Sequence, residues 1–342
     1  MSRLDADSRL VTHHQITIDT QFRTQKLSED DKKNCSCRVP TMEELSDYLI
    51  PLIGITHSYS SGSLVLSLED ASYYPFDDSL EATHLCLLVN AVDKNGSITV
   101  VKNTNTNVRT EVAPQVKSGE GYDMSSFIFI SLKGKQRTYD TLITVMPKVS
   151  TNIVTMFLNW ILFEVSRKNE KDFTCDSNTN IVNSSTGKVV KVLYKPIFDF
   201  SGKIDKELFD KINREGLSDV VLVKNEFKSM NAPDIHNAII PMESTLRIVP
   251  NNGATGVVEW VKSVGKFFKE DKHGGYDTIK IKFKEPDSKS PRQVNLKTDD
   301  IRLDAIEKTF IKKTMLSGFS SRLKDSYDTI DVEIIEKMAN IA

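Results

Sequence analysis

The chain has 342 residues, of which 45 are Lys or Arg and 47 are Asp or Glu, so its formal net charge is −2. That length is long for one hydrophobic core and suits two domains of about 100–150 residues each. Because the charge is nearly balanced, overall charge excludes attraction of a polyanion by the whole molecule, and any such partner must meet a local basic patch.

The first segment, residues 1–58, is predicted to be an N-terminal arm followed by a helix. A short strand is expected at Gln15–Ile18. Thr41 and Glu44 have the spacing of a capping box, in which each side chain bonds the other residue's backbone N–H, so a helix should begin there. Pro51 is expected to end that helix, since proline lacks the N–H that a helix interior needs.

Residues 59–187 are predicted to form an N-terminal α+β domain. Two strand–turn–strand patterns stand in it, the first around Asn95-Gly96, a dipeptide typical of tight hairpin turns. An apolar helix at 152–165 is expected to cover one face of the resulting sheet. The expected strands are Leu64–Leu68, His84–Val92, Ser97–Val101, Phe127–Leu132 and Tyr139–Met146.

A polar stretch, Asn178–Gly187, marks the boundary with a C-terminal α+β domain at 188–342. Helices are expected at 204–213, 255–268 and 299–323, and strands at 189–194, 217–223, 246–249 and 278–283. The predicted fold class is therefore α+β, with two lobes of mostly antiparallel sheet and packed helices.

No targeting or metal-binding pattern is visible. The N-terminus lacks an apolar signal core, and the most apolar run, Ile153–Val165, is shorter than the roughly 20 residues that cross a bilayer. The cysteines are Cys35, Cys37, Cys86 and Cys175. They are too few and too scattered for a disulfide framework, and no histidine lies near them. We expect a cytoplasmic protein without a cofactor or metal site.

No complete catalytic motif is present, and one partial motif keeps an enzymatic alternative open. Glu226 and Lys228 form an E-x-K triplet at the end of an apolar strand. In metal-dependent nucleases such carboxylates hold Mg²⁺ and the lysine steers the attacking water. The upstream acid would have to be Asp199, Asp205 or Asp210. The alternative interpretation is a solvated strand end.

The positive signal is a local excess of basic residues. Residues 256–324 contain 16 Lys and Arg against 10 Asp and Glu, an excess of six. Helical and strand periodicity place the lysines opposite apolar residues. The predicted nucleic-acid-binding residues are Lys262, Lys266, Lys269, Lys280, Lys282, Lys284, Lys308, Lys312 and Lys313. The alternative is that these lysines are only solvated on the outer face and bind no ligand.

The order of four segments resembles the RexA-like family of phage lambda exclusion proteins. The segments are THLCLLVNAVDKNGSITVVKNT, SSFIFISLKGKQRTYDTLITVMPKVSTNIVTMFLNWIL, STLRIVPNNGATGVVEWVKSVGKFF and YDTIKIKFKEPDSKSPRQVNLKTDDIRLDAIEKTF. The resemblance covers about residues 80–340 and is one of pattern rather than of shared motif residues. It implies a dimeric DNA-binding protein, without catalytic residues, that signals to a membrane-channel partner during phage infection.

Three hypotheses follow. The first is a non-catalytic, sequence-nonspecific sensor of double-stranded DNA in abortive infection, acting as a homodimer through a membrane-protein effector. The second is a metal-dependent nuclease built on Glu226 and Lys228. The third is a structural or interaction protein whose lysines carry no ligand.

Overall fold

The computed structural model describes residues 5–23, 35, 37–77, 79–147, 149–176, 191–203, 219–232, 235–248, 263–264, 267–268, 270, 273, 275–276, 278–283, 292–297 and 311–342. For 176, 191, 219, 225–232, 235–243, 281–283 and 292–297 it describes the backbone alone. The chain divides into two compact units. The first is Met1–Ser201 together with Lys313–Ala342, and the second is Gly202–Lys312.

The first unit is built on a nine-stranded sheet in the order β2-β3-β4-β7-β8-β1-β10-β9, with β15 also paired to β1. Its strands are β1 (Arg9–Phe22), β2 (Thr56–Tyr59), β3 (Leu64–Tyr74), β4 (His84–Asp93), β7 (Tyr122–Ser131), β8 (Thr138–Thr144), β9 (Thr174–Asp176), β10 (Lys191–Gly202) and β15 (Lys313–Leu316). Neighbours β2–β3, β3–β4, β4–β7, β7–β8 and β8–β1 are antiparallel. A separate two-stranded ribbon joins β5 (Thr99–Lys102) to β6 (Arg109–Val112).

Helices cover both faces of the large sheet. Helices α1 (Met42–Leu49) and α2 (Thr151–Lys168) pack on one face, and α3 (Val332–Ala339) packs on the other. Alternate residues of β7 enter the two cores: Ile128 and Ile130 join the larger one, while Phe127 and Phe129 join the core that contains α3. A strand buried on both faces has no wet side, which explains the unbroken apolar run in β7.

The C-terminal segment is tied to the sheet by buried polar groups as well as by α3. The Asn90 side-chain amide donates to the Tyr327 carbonyl at 2.8 Å, and the Ser125 hydroxyl donates to the Asn90 side-chain oxygen at 2.6 Å. The Tyr327 N–H in turn donates to that hydroxyl at 2.8 Å. Arg9, which is 4% exposed, donates to the Lys324 carbonyl. Residues near the two ends of the chain are therefore joined in the layer that contains α3.

The second unit contains a four-stranded antiparallel sheet in the order β12-β11-β13-β14. Its strands are β11 (Asp219–Ala232), β12 (Ile235–Ile248), β13 (Thr278–Phe283) and β14 (Arg292–Lys297). Only the first five residues of β11, Asp219–Val223, pair with β13, while its pairing with β12 continues to Ala232.

Much of the predicted organisation is confirmed. The protein is a mixture of sheet and helix, with strands predominating and antiparallel pairing. Thr41 and Glu44 form the reciprocal capping box at α1. The second predicted hairpin is present as β7–β8, and the apolar helix is present as α2, with Phe157 fully buried.

Three expectations are wrong. First, β5 does not form a hairpin with β4, because the neighbours of β4 are β3 and β7. Second, the predicted helix 299–323 does not extend over Lys313–Leu316, which is strand β15 and pairs with Arg9–Thr12. The first part of that prediction lies outside the described residues, as does the helix predicted at 204–213.

Third, the boundaries predicted at 58 and 187 are not those of the compact units. Residues 1–58 do not form a separate N-terminal arm, because β1 lies inside the large sheet next to β8. Residues 188–342 do not stay together, because β10 up to Ser201 and the segment from Lys313 onward belong to the first unit. Of the helix predicted at 255–268, only Ser263, Val264, Phe267 and Phe268 are described, and they are helical.

Candidate nucleic-acid interface

The structure places one of the predicted lysines, Lys280, in strand β13. Ile279 is fully buried, whereas the next residue, Lys280, is only partly buried, as the predicted strand alternation requires. On the neighbouring strand β11, Val220 and Leu222 are also fully buried. Ile279, Val220 and Leu222 therefore share one buried side of the sheet. Lys280 lies at a position of the opposite side, which also carries the buried Val223.

Strand register defines which residues share a row with Lys280. Lys280 lies opposite Val221 of β11 and opposite Asn295 of β14, and Val221 lies opposite Arg247 of β12. Directly opposed residues of antiparallel strands occupy the same face of a sheet. Arg247 is exposed, and one strand separates it from Lys280, so their backbones are about 10 Å apart.

Lys282 lies two residues farther along β13, at the next position of the same face. It pairs with Asp219 of β11 and Gln293 of β14. For Lys282 and Asp219 the structure describes the backbone alone, so only their register is defined. The basic positions of this face whose side chains the structure describes are Lys280 and Arg247.

The other predicted lysines do not all fall on this sheet. Lys312 and Lys313 are exposed, and the Lys312 N–H donates to the Lys203 carbonyl at 2.8 Å. Lys313 pairs with Thr12 in the large sheet, so it belongs to the first unit, not the second. Lys262, Lys266, Lys269, Lys284 and Lys308 lie outside the described residues.

The nuclease residues lie on β11 beyond its pairing with β13. Glu226 pairs with Met242, and Lys228 pairs with Ile240, both in β12. Asp199 lies in β10 of the first unit, while Asp205 and Asp210 fall outside the described residues. Among the side chains that the structure describes, no group of three His, Cys, Asp or Glu residues is placed to hold a metal ion.

Sequence reasoning missed two features of the first unit. One is the pair of Cys37 and Cys175, whose sulfur atoms are 3.0 Å apart although the residues are far apart in sequence. Burial raises the pKa of the Cys37 thiol, and its hydrogen bond with Cys175 raises it further. Spacing along the chain gave no signal for this pair, because Cys175 is brought to Cys37 only by the fold.

The second missed feature is the exposed ribbon β5–β6. All of residues 101–113 are exposed, including the ribbon's valines and both charged residues near its tip. Lys102 lies directly opposite Arg109. The 94–121 insertion could have been recognised from its Asn- and Thr-rich centre, NTNTN, which is typical of a long turn rather than of a buried strand.

No protein-family model, no curated protein and no solved structure matches this chain. Within the described residues, no helix is long and apolar enough to cross a membrane.

Proposed function

We propose that the protein is a non-catalytic sensor that binds double-stranded DNA without sequence preference, through the face of β13 that carries Lys280 and Lys282. The observation that supports this most directly is the alternation on β13, where buried Ile279 is followed by partly exposed Lys280 in a row with exposed Arg247. Two cations set on one rigid sheet can contact phosphates at a fixed spacing.

The chemistry of this face favours backbone contacts over base reading. Affinity should come from phosphate neutralisation and counterion release, which depend on salt and hardly on sequence. The local excess of six basic residues at 256–324, in a chain whose formal net charge is −2, supports the same interpretation.

The biological setting of the proposal rests on the resemblance to RexA-like phage-exclusion proteins. In that setting the protein acts in the cytoplasm as a homodimer with two lobes. Bound DNA then signals to a membrane-protein effector, and the outcome is abortive infection. No catalytic residue is needed, because the output comes from the partner.

A gel-shift assay with a nonspecific duplex, run with and without Mg²⁺, distinguishes this proposal from its alternatives. A shift without cleavage in both conditions is expected. Mg²⁺-dependent cleavage that is lost in Glu226→Gln would establish the nuclease instead. The absence of both shift and cleavage would favour a structural or interaction protein whose lysines are only solvated.

A further inference from the structure

The ribbon β5–β6 is an addition that the large sheet does not need. Strands β4 and β7 are hydrogen-bonded neighbours, and their ends, Asp93 and Tyr122, lie directly opposite each other. A turn of two residues can join such ends. Instead residues 94–121 leave the sheet and build their own pair of strands. Long insertions that form their own structure are commonly functional.

The ribbon is anchored at its base and exposed everywhere else. The Tyr122 hydroxyl accepts from the Thr99 N–H at 3.1 Å and donates to the Val112 carbonyl at 2.8 Å, so it bridges the two strands. The side chain of Val112 at the bridge is 53% exposed, and Val101 and Val108 beyond it are 54% and 58% exposed. A two-stranded ribbon is marginally stable by itself in water. An exposed apolar ribbon of this kind therefore gains stability from a partner.

The outer edge of β6 offers backbone groups to such a partner. Among the described residues, β6 pairs with β5 alone. The Asn103 N–H donates to the Val108 carbonyl, so Val108 directs its backbone groups toward β5, and by alternation so do Thr110 and Val112. The N–H and C=O groups of Arg109 and Glu111 consequently point to the open edge.

The sequence of β6 is complementary to itself when it is read in the opposite direction. Residues 108–112 are V-R-T-E-V. Antiparallel pairing of two copies about Thr110 places each Arg109 opposite the Glu111 of the second copy, and each Val108 opposite the second Val112. The same register brings together the two residues whose backbone groups point outward, so hydrogen bonding and charge select the same alignment.

The alternative two-fold registers are less favourable. Centring the pair on Arg109 sets two guanidinium groups opposite each other, and centring it on Glu111 does the same with two carboxylates. Like charges in directly opposed positions are destabilising. Of these three registers, the one centred on Thr110 is therefore the most favourable for two copies of β6.

We propose that β6 is a homodimerisation edge, at which two copies of this chain pair through Arg109 and Glu111 to form a continuous four-stranded ribbon. The contact is isologous, because the same strand serves both copies. It is small, so the dimer should be weak and in exchange with monomer at micromolar concentrations. The inference assigns a surface to the homodimer of the proposed function and rests on that part of it. Its test is independent of DNA binding, since none of its residues belongs to the proposed DNA-binding face.

Charge-reversed variants of the full-length protein test the register by sedimentation equilibrium without DNA. In Arg109→Glu and in Glu111→Arg every ion pair becomes a repulsive pair, so each variant should raise the dimer dissociation constant at least about tenfold. An equimolar mixture of the two variants should dimerise again, because acidic edges then meet basic ones. The double variant R109E/E111R should also dimerise.

Lys117→Glu is the matched control for Arg109→Glu, since it makes the same charge change at an exposed position outside β6 and should leave dimerisation unchanged. Far-ultraviolet circular dichroism checks that each variant is folded, as expected for exposed positions. The proposal is overturned if the wild-type protein stays monomeric up to about 100 µM, well above the range expected for a specific contact of this kind. It is equally overturned if the mixture of variants stays monomeric.

Discussion

At the scale of single residues, two buried histidines of β1 carry the clearest consequence for stability. His13 and His14 lie close to the start of the sequence, and each is only 4% exposed in the interior of β1. Each finds a hydroxyl partner at 2.9 Å: Thr314 for His13 and Thr12 for His14. Sequence could not predict this, because Thr314 lies on β15, at the other end of the chain.

The buried His14 should make the stability of the protein depend on pH. Burial lowers its pKa from 6.5 to about 4, and neighbouring His13 contributes. Between those values the unfolded chain binds a proton that the folded protein does not, so the free energy of unfolding falls as the pH drops from about 6.5 to about 4. The loss is roughly 3 kcal/mol at most.

Urea unfolding at a series of pH values measures this effect. In His14→Gln, which keeps a polar group near Thr12 but cannot take up the proton, the dependence should be clearly weaker. Some slope should remain, because burial also lowers the pKa of His84. An identical slope in wild type and variant would exclude His14 as its source.

The close approach of Cys37 and Cys175 predicts an intramolecular cross-link. Oxidised glutathione should convert the two thiols to a disulfide and release two molecules of reduced glutathione. Because burial raises the pKa of Cys37, the reaction should be slow at neutral pH and faster at higher pH. Mass spectrometry of peptides should find Cys37 joined to Cys175.

Two serine variants provide the controls for that cross-link. Cys175→Ser should abolish it, whereas Cys86→Ser should leave it unchanged, since Cys86 is buried in the core that contains α3. Preferential joining of Cys35 to Cys37 would show that the distance between Cys37 and Cys175 does not control the chemistry.

At the scale of elements, the sequence correctly predicted the helices and turns that depend on interactions between residues close together in the chain. The capping box of α1, the β7–β8 hairpin and the apolar helix α2 each depend on residues close together in sequence, and all three are present. The failures involve distant partners. A turn is present at Lys94 and Asn95, but neither Asn95 nor Gly96 has the positive φ of a tight hairpin turn. Strand β4 takes β7 as its partner, and β15 is held extended by β1. Neither choice is visible in a window of local sequence.

Attachment of the C-terminal segment should depend strongly on Asn90. Asn90→Ala removes the donor to the Tyr327 carbonyl and the acceptor for the Ser125 hydroxyl in a site that is 3% exposed. Leaving such groups unpaired costs about 1–3 kcal/mol of the free energy of unfolding. Chemical denaturation measures the loss.

The same substitution at Asn105, an exposed residue of the ribbon tip, is the control and should change stability by less than about 0.5 kcal/mol. If Asn90→Ala were as harmless as Asn105→Ala, the buried network would not hold the C-terminal segment.

At the scale of the whole molecule, the sequence predicted part of the candidate site. Strand alternation correctly predicted buried Ile279 and less buried Lys280, because period-two patterns follow directly from strand geometry. It could not place Arg247 in the same row, since that requires the register of β11 with β12 and β13. The helical placement of Lys313 was wrong, because β15 pairs with β1.

The central claim is that the β13 face binds the phosphates of duplex DNA. The most direct test is the affinity for one labelled duplex, measured by fluorescence anisotropy at several salt concentrations. For the wild type, the logarithm of the association constant should fall linearly with the logarithm of salt concentration. Lys280→Glu with Lys282→Glu should weaken binding to all duplexes alike and reduce that slope by up to about 0.9 for each phosphate that is no longer neutralised.

Lys133→Glu with Lys135→Glu is the matched control, since it reverses two exposed lysines at the same spacing in the turn between β7 and β8. The account predicts that this control keeps the affinity and the slope of the wild type. Unchanged binding in the Lys280 and Lys282 variant, or an equal loss of affinity in the control, would contradict it.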